Sequence, residues 1–206
     1  MGLVLALVGA VATGVLAGLN EVTKGPIAEA IRLETLKALR TVLPEGYDND
    51  PVADTIFLID KRLNKKETPV KFYRATKAGQ PFASAFVVTA PDGYSGNIST
   101  IMAVSTDGIV TGIEVIAHAE TPGLGDKIQR NVSDWPLFFN GKTKDNVKWG
   151  VKKDGGDFDQ FAGATITPRA VVHSVKRGLD FFLEQQAKIF APAPAPAQPD
   201  AAAAKQ

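Results

Sequence analysis

Asp157-Phe158-Asp159-Gln160-Phe161-Ala162-Gly163-Ala164-Thr165-Ile166-Thr167-Pro168 decides how the rest of the chain is read. Gly163 and Ala164 leave the backbone uncovered just before Thr165. Thr167, then Pro168, then an apolar-periodic run to Phe182 predict a helix start, with Thr167 as N-cap and proline at the first helical position. Thr165 then lies in the turn entering that helix. Unpaired backbone N–H groups and the helix dipole favour a negatively charged group there, such as a phosphate. Arg169 is either placed to help neutralise such a group or is an exposed first-turn cation. The helix is expected over Thr167 to Gln186, with Ala170, Val171, Ser174, Val175, Leu179, Phe182 and Leu183 on one face.

Upstream, short runs rich in Val, Ile, Phe and Thr predict strands at Thr55–Asp60, Val70–Thr76, Ser84–Thr89, Ile98–Ser105 and Ile109–Ile116. Pro91-Asp92-Gly93 marks a turn, and Asp107-Gly108 reads as a hairpin connection. No long helix separates these runs, so an antiparallel meander is expected rather than a parallel wind. A dinucleotide-binding fold is excluded, because no Gly-x-Gly-x-x-Gly follows a strand. The fold class is therefore α+β: an antiparallel sheet with flanking helices, preceded by one N-terminal transmembrane helix.

That helix is read from Leu3 to Leu19, LVLALVGAVATGVLAGL, which carries no charge and a single polar side chain, Thr13. Helical rise gives it about 26 Å, near the lower limit for a hydrocarbon core of roughly 30 Å. A signal peptide, the competing reading, would need a basic leading region, which is absent, although a small-residue site around Ala17 leaves cleavage open. Flanking charge does not fix the orientation, since the positive-inside bias weakens for long exported segments. Thr23-Lys24-Gly25-Pro26 then punctuates the exit. Ile27 to Leu43 carries Ile27, Ala30, Ile31, Leu36, Leu39 and Val42 at helical spacing, a helix expected to pack on the soluble part and to stop at Pro44-Glu45-Gly46. From Ala191 the chain reads APAPAPAQPDAAAAKQ, an extended tail without an apolar face. The expected organisation is a membrane anchor at 1–20, a juxtamembrane helix at 21–46, a globular domain at 47–188 and a disordered tail at 189–206.

Composition closes off several chemistries. The 206 residues contain no cysteine, which excludes thiol catalysis and Cys-ligated zinc or iron–sulfur centres. His118 and His173 are the two histidines, too few for a multi-His metal site. A formal net charge of +1, with no basic stripe interleaved by aromatics, gives no basis for nucleic-acid binding.

A second motif follows the last predicted strand: His118-Ala119-Glu120-Thr121-Pro122-Gly123-Leu124-Gly125-Asp126-Lys127. Pro122, Gly123 and Gly125 describe an irregular loop whose backbone can approach a flat ligand with no Cβ in the way. This segment resembles the His-x-Glu-Thr-Pro-Gly-Leu-Gly motif of the G subunit of Rnf complexes and the related C subunit of Nqr complexes. Asp159, Gly163, Ala164 and Thr165 likewise resemble the flavinylation motif Asp-x-x-Ser/Thr-Gly-Ala-Thr of those families, with Ala162 where Ser or Thr is usual. Both motifs occur in the family's order, joined by Trp135, Phe138-Phe139-Asn140-Gly141-Lys142 and Lys153-Asp154-Gly155-Gly156, which also fit its pattern. Length and loop wording lean towards the Rnf G subunit.

The resemblance implies an FMN-binding domain over 47–188 and FMN joined through a phosphoester to Thr165. It further implies that Gly163, Ala164, Ile166, Thr167, Glu120, Thr121, Gly123, Leu124 and Gly125 surround the cofactor, Leu124 packing on the ring. No catalytic residue and no metal ligand are implied. The implied protein is a redox-carrier subunit, not an independent catalyst, of an ion-translocating ferredoxin:NAD oxidoreductase. Its partners are the other membrane and peripheral subunits and a flavin transferase for maturation. It sits as a single-pass protein in the bacterial inner membrane with its domain on the periplasmic side. Three other readings are the Nqr-type subunit of a sodium-pumping NADH:quinone oxidoreductase, a cofactor-free membrane-tethered interaction module, and a hydrolase using Thr165 with His118 or His173 as base.

Overall fold

The structure, a computed structural model, describes residues 2–191; side chains at 3–8, 10, 11, 20, 21 and 28 fall outside that description, as does the tail predicted beyond Ala191. The chain divides into two compact units, residues 1–39 and from 40 onward. The first is helical: α1 runs Gly2–Val42, its last three residues belonging to the second unit. The expected break at Gly25-Pro26 does not occur, and Pro26 lies inside α1. An interior proline removes one N–H···O bond and crowds the preceding turn, at about 3 kcal/mol. Helix-compatible sequence extends far on both sides, and that single loss does not outweigh it. The Thr23 hydroxyl donates to the Leu19 carbonyl at 2.8 Å, keeping the turn before Pro26 tied. Ile27, Ile31 and Leu33 carry exposed side chains. Among the described residues no helix is long and apolar enough to cross a membrane. Much of the run Leu3 to Leu19, on which the predicted anchor rests, has its side chains outside them.

The second unit is built on β1 (Thr55–Leu58), β2 (Val70–Lys77), β3 (Gln80–Ala90), β4 (Ile98–Ser105) and β5 (Val110–Ala117). They pair antiparallel in the order β1-β2-β3-β4-β5, the expected meander. Period-two alternation gives the sheet two faces. One face carries the register row Phe72, Phe86, Met102 and Ile113, all fully buried. The other carries the row Tyr73, Ala85, Ala103 and Gly112. The Thr111 hydroxyl donates to the Val42 carbonyl at 2.7 Å, so the end of α1 is tied to the β5 edge.

α2 (Ile166–Ile189) covers the first face. The Phe72 ring stacks on Phe86 at 4.5 Å, and Phe86 on Phe182 of α2 at 6.2 Å. The close approach is set by Gly178. A Cβ there would stand 2.6 Å from both Met102 Sδ and Val88 Cγ1, inside van der Waals contact. The domain also continues past the boundary set by composition. Ile189 is fully buried, Phe190 meets Phe182 edge-on, and Arg74 donates to the Ala191 carbonyl at 2.7 Å. The composition shift at Ala191 marks where proline enters, while Ile189 and Phe190 still pack within the domain.

Gly178→Val forces two methyl groups into the filled seam between α2 and the sheet. It is expected to cost about 1–3 kcal/mol, read as a lowered midpoint in thermal or urea unfolding of the purified chain. A midpoint equal to that of the parent chain would show that the seam has slack.

Candidate functional site

Three chain segments meet at the N-terminus of α2. α2 starts at Ile166, with Thr165 as its N-cap at φ −70° and ψ −30° and no side-chain capping bond. The sequence pattern predicts the cap at Thr167, which is instead the second helical residue, with Pro168 the third. Proline is tolerated throughout the first turn, because those N–H groups have no intrahelical partner in any case. Pro168 therefore does not fix the first position. The change frees the Thr165 hydroxyl and recruits Thr167 elsewhere.

Thr167 is buried, and its hydroxyl donates to Glu120 Oε2. Glu120 is 4% exposed, and its Oε1 accepts the Ser95 N–H at 2.9 Å. One carboxylate thus ties the β3–β4 connection, the loop after β5 and the first turn of α2. Gly125 makes this possible. A Cβ there would lie 2.9 Å from Glu120 Cβ and 3.0 Å from the Thr167 hydroxyl. The Glu120 N–H in turn donates to His118 Nδ1 at 3.0 Å, and the ring's Nε2 lies against the Gln129 side-chain amide. His118 is thereby a strut of the loop.

Around this clamp lies a cavity of about 340 Å³. Its wall is formed by Glu120, Thr121, Leu124 and Gly125 from one loop and by Gly163, Ala164, Thr165, Ile166 and Thr167 from the other. Nine of the ten residues singled out in the sequence therefore share one cavity. The tenth, Gly123, does not line it; it sits at φ +77°, where glycine allows the loop to reverse. Tyr94, 69% exposed, completes the rim, and sequence reasoning missed it because Gly93-Tyr94-Ser95-Gly96 reads only as a turn. Leu124 and Ile166 are also exposed at 44% and 45%, which leaves an apolar mouth. Neither histidine lines the cavity, so Thr165 has no imidazole base there.

The approach to Thr165 is held by aromatic packing. The Trp135 indole donates to the Asp159 carbonyl at 2.8 Å and meets the Phe161 ring edge-on at 5.5 Å. Gly163 then takes φ +78°, which a side chain would resist. The Asp159 carboxylate pairs with Lys152 at 2.6 Å and does not line the cavity. Arg169 pairs with Asp154 through two hydrogen bonds, 2.5 and 2.8 Å. That pairing holds the Asp154 carboxyl below its ordinary value and raises the Arg169 guanidinium. Its charge is thus already committed, contrary to the role of free counter-ion that its position in the sequence allows. Among the described residues no cluster of three or more His, Asp or Glu side chains is placed to hold a metal.

Two family models match the chain: one described as FMN-binding domain over residues 93–180, the other as RnfG N-terminal region over residues 1–42. The G subunit of the ion-translocating oxidoreductase complex of Shewanella baltica is 46% identical over 193 residues, covering 92% of this chain and 91% of its own. Its counterpart in Photorhabdus laumondii is 47% identical over 180 residues, covering 85% and 86%. The chain belongs to the RnfG family. The G subunit of the ion-translocating oxidoreductase complex of Yersinia pestis, 48% identical over 179 residues and covering 85% of each chain, extends the similarity to a third genus. Family membership decides between the Rnf and Nqr resemblances in favour of Rnf. The FMN-binding match begins at Gly93 and ends within α2, so it contains all three segments that Glu120 joins.

Glu120→Ala removes the acceptor of a buried hydroxyl and is expected to destabilise by about 1–3 kcal/mol, whereas Glu120→Gln, which keeps one acceptor oxygen, loses less. Urea unfolding compares the two. Separately, the Asp154 carboxyl has a folded pKa below its unfolded one, so its contribution is full above about pH 4 and is lost as pH falls through the folded value. In Arg169→Ala the Asp154 resonance is expected to titrate closer to the ordinary carboxylate range in an NMR pH series.

Proposed function

We propose that this chain is a membrane-anchored electron-transfer subunit of an ion-translocating ferredoxin:NAD oxidoreductase complex, carrying FMN esterified through its phosphate to Thr165. The observation that carries the reading is the environment of that hydroxyl. It caps no helix bond, lies beside two small residues, and forms part of an apolar-mouthed cavity within the FMN-binding match.

The residues present fit such a group. N–H groups of Ile166 and Thr167, in the first turn of α2, have no intrahelical partner and favour an anion. Leu124, Ile166 and Tyr94 offer apolar surface at the mouth for a flat ring. Gly163 and Ala164 leave the path to the Thr165 oxygen uncrowded. Among the described residues the only charged one lining the cavity is Glu120, an anion, so no cation there would hold a free phosphate. A covalent ester removes the need for one. Bound FMN supplies one- and two-electron transfer; the chain fixes its position, limits water on one side and leaves its mouth open to a partner.

The apolar run Leu3 to Leu19 is read as a single-pass anchor in the bacterial inner membrane, with the domain on the periplasmic side. Assembly then requires the other subunits of the complex, and maturation requires a flavin transferase. Intact and peptide mass spectrometry of protein from its own membrane is expected to show one FMN, less a water, on the peptide containing Thr165. Thr165→Val is expected to abolish both that mass and the in-gel fluorescence of denatured protein. Native material without the adduct would overturn the proposal.

A further inference from the structure

The face of the sheet opposite α2 holds a second and larger cavity, about 490 Å³. Alternation along β2, β3 and β4 puts Lys71, Tyr73, Val87, Thr89 and Ser99 on this face, away from Phe72, Phe86 and Val88. Lys65 and Lys66, in the turn before β2, join Lys71 along its wall. Among the described residues no Asp or Glu lines it. Among them, too, none of these three lysines is ion-paired, although Arg62, Arg74, Arg130, Lys152, Arg169 and Lys176 all are. Glu67, from the same turn, faces a different cleft beside Asp60 and Arg62.

The site is also partly pre-organised. The Lys71 ammonium stands 5.4 Å from the Phe57 ring centre and 5.8 Å from that of Tyr73, which holds it on the strand surface. Burial raises the Tyr73 phenol above its ordinary value, so at neutral pH it is a neutral hydrogen-bond donor. Asn97 and Ser99 add polar groups to the floor and rim. Three uncompensated cations around a concave recess select carboxylates presented on a protruding chain. A flat lipid surface would meet a recess poorly.

The recess is joined to the cofactor cavity by one short connection. Pro91 and Asn97, at the two ends of the β3–β4 loop, line the recess. Tyr94, at its tip, lines the cavity by Thr165, and Ser95 bonds Glu120. We propose that this lysine recess docks an acidic segment of the protein that exchanges electrons with the subunit, seating that partner next to the flavin mouth. The docking role rests on the flavin reading for its purpose, while the recess itself does not depend on flavin. Complementary charge of this kind acts chiefly on encounter rate and orientation, and it weakens with salt.

The test uses the full chain in neutral detergent micelles and a fluorescein-labelled octaglutamate peptide, read by anisotropy. Binding is expected in low salt, with affinity falling as salt rises. The variant K65E/K66E/K71E is expected to lose at least tenfold, whereas K144E/K148E, whose lysines do not line the recess, keeps the parent affinity. Equal affinity of the recess variant and the parent would overturn the proposal. So would peptide binding no tighter than that to neutral octaglutamine, or a preference for phosphatidylglycerol vesicles that K65E/K66E/K71E abolishes while the peptide stays unbound. Each measurement is repeated on Thr165→Val protein. Retained peptide binding there, together with absent FMN mass in the parent chain, would remove the flavin reading and leave the recess standing.

Discussion

A carboxylate held at 4% exposure must find hydrogen-bond donors or be expelled from the fold. Glu120 finds the Thr167 hydroxyl and the Ser95 N–H, and each comes from a different segment. The rest of the site follows from that constraint. Thr167 is drawn inward, so the helix start slides back to Ile166 and Thr165 becomes the cap. Gly125 must lack a Cβ, because the loop passes directly over the clamp. The Glu120 N–H donates to His118 Nδ1, so His118 braces the loop and does not line the cavity.

The clamp alone would not hold the helix at the right height. α2 is seated by Gly178 against Val88 and Met102, and its far end by Phe182, Ile189 and Phe190. From the other side, Trp135, Phe139, Trp149, Phe158 and Phe161 form a run of ring contacts between 4.6 and 6.3 Å. That run fixes the segment leading into Gly163. Rigid packing on both sides leaves the mouth, with Tyr94, Leu124 and Ile166, as the exposed part of the site. Pre-organised walls with an open mouth suit a group that is held permanently yet must be approached.

The sheet is legible in the sequence because its strands are short, β-branched and punctuated by turn residues. The predicted Ile98–Ser105 coincides with β4, and the order of strands follows from the absence of intervening helices. The departures share one cause: local rules about proline meet places where other forces decide. Pro26 reads as an end and lies inside α1; Pro168 reads as a first helical residue and is the third. In the second case Glu120, 47 residues away in sequence, sets the start. Tyr94 is invisible in the sequence for a related reason. A turn motif tells how the chain bends, and only the Ser95–Glu120 bond carries the tip of that turn to the α2 terminus. The lysine recess is equally hidden, since Lys65, Lys66 and Lys71 look like ordinary solvated residues until the turn folds back beside β2.

The charge balance of the cavity gives the proposed ester its physical sense. Proteins that retain a phosphate without covalent attachment surround it with cations and several N–H donors. Here Arg169 is occupied by Asp154, Lys152 is occupied by Asp159, and Glu120 places a negative charge in the wall. Pro168 further subtracts one N–H from the first turn. What remains is the field of a helix terminus, worth roughly 0.3–1 kcal/mol at an exposed site. Against such a weak hold, a cofactor with an open apolar mouth would exchange with solvent on every encounter. The proposed bond from the Thr165 oxygen would make retention independent of affinity. The walls are then free to be shaped for access by a partner, without having to grip the cofactor.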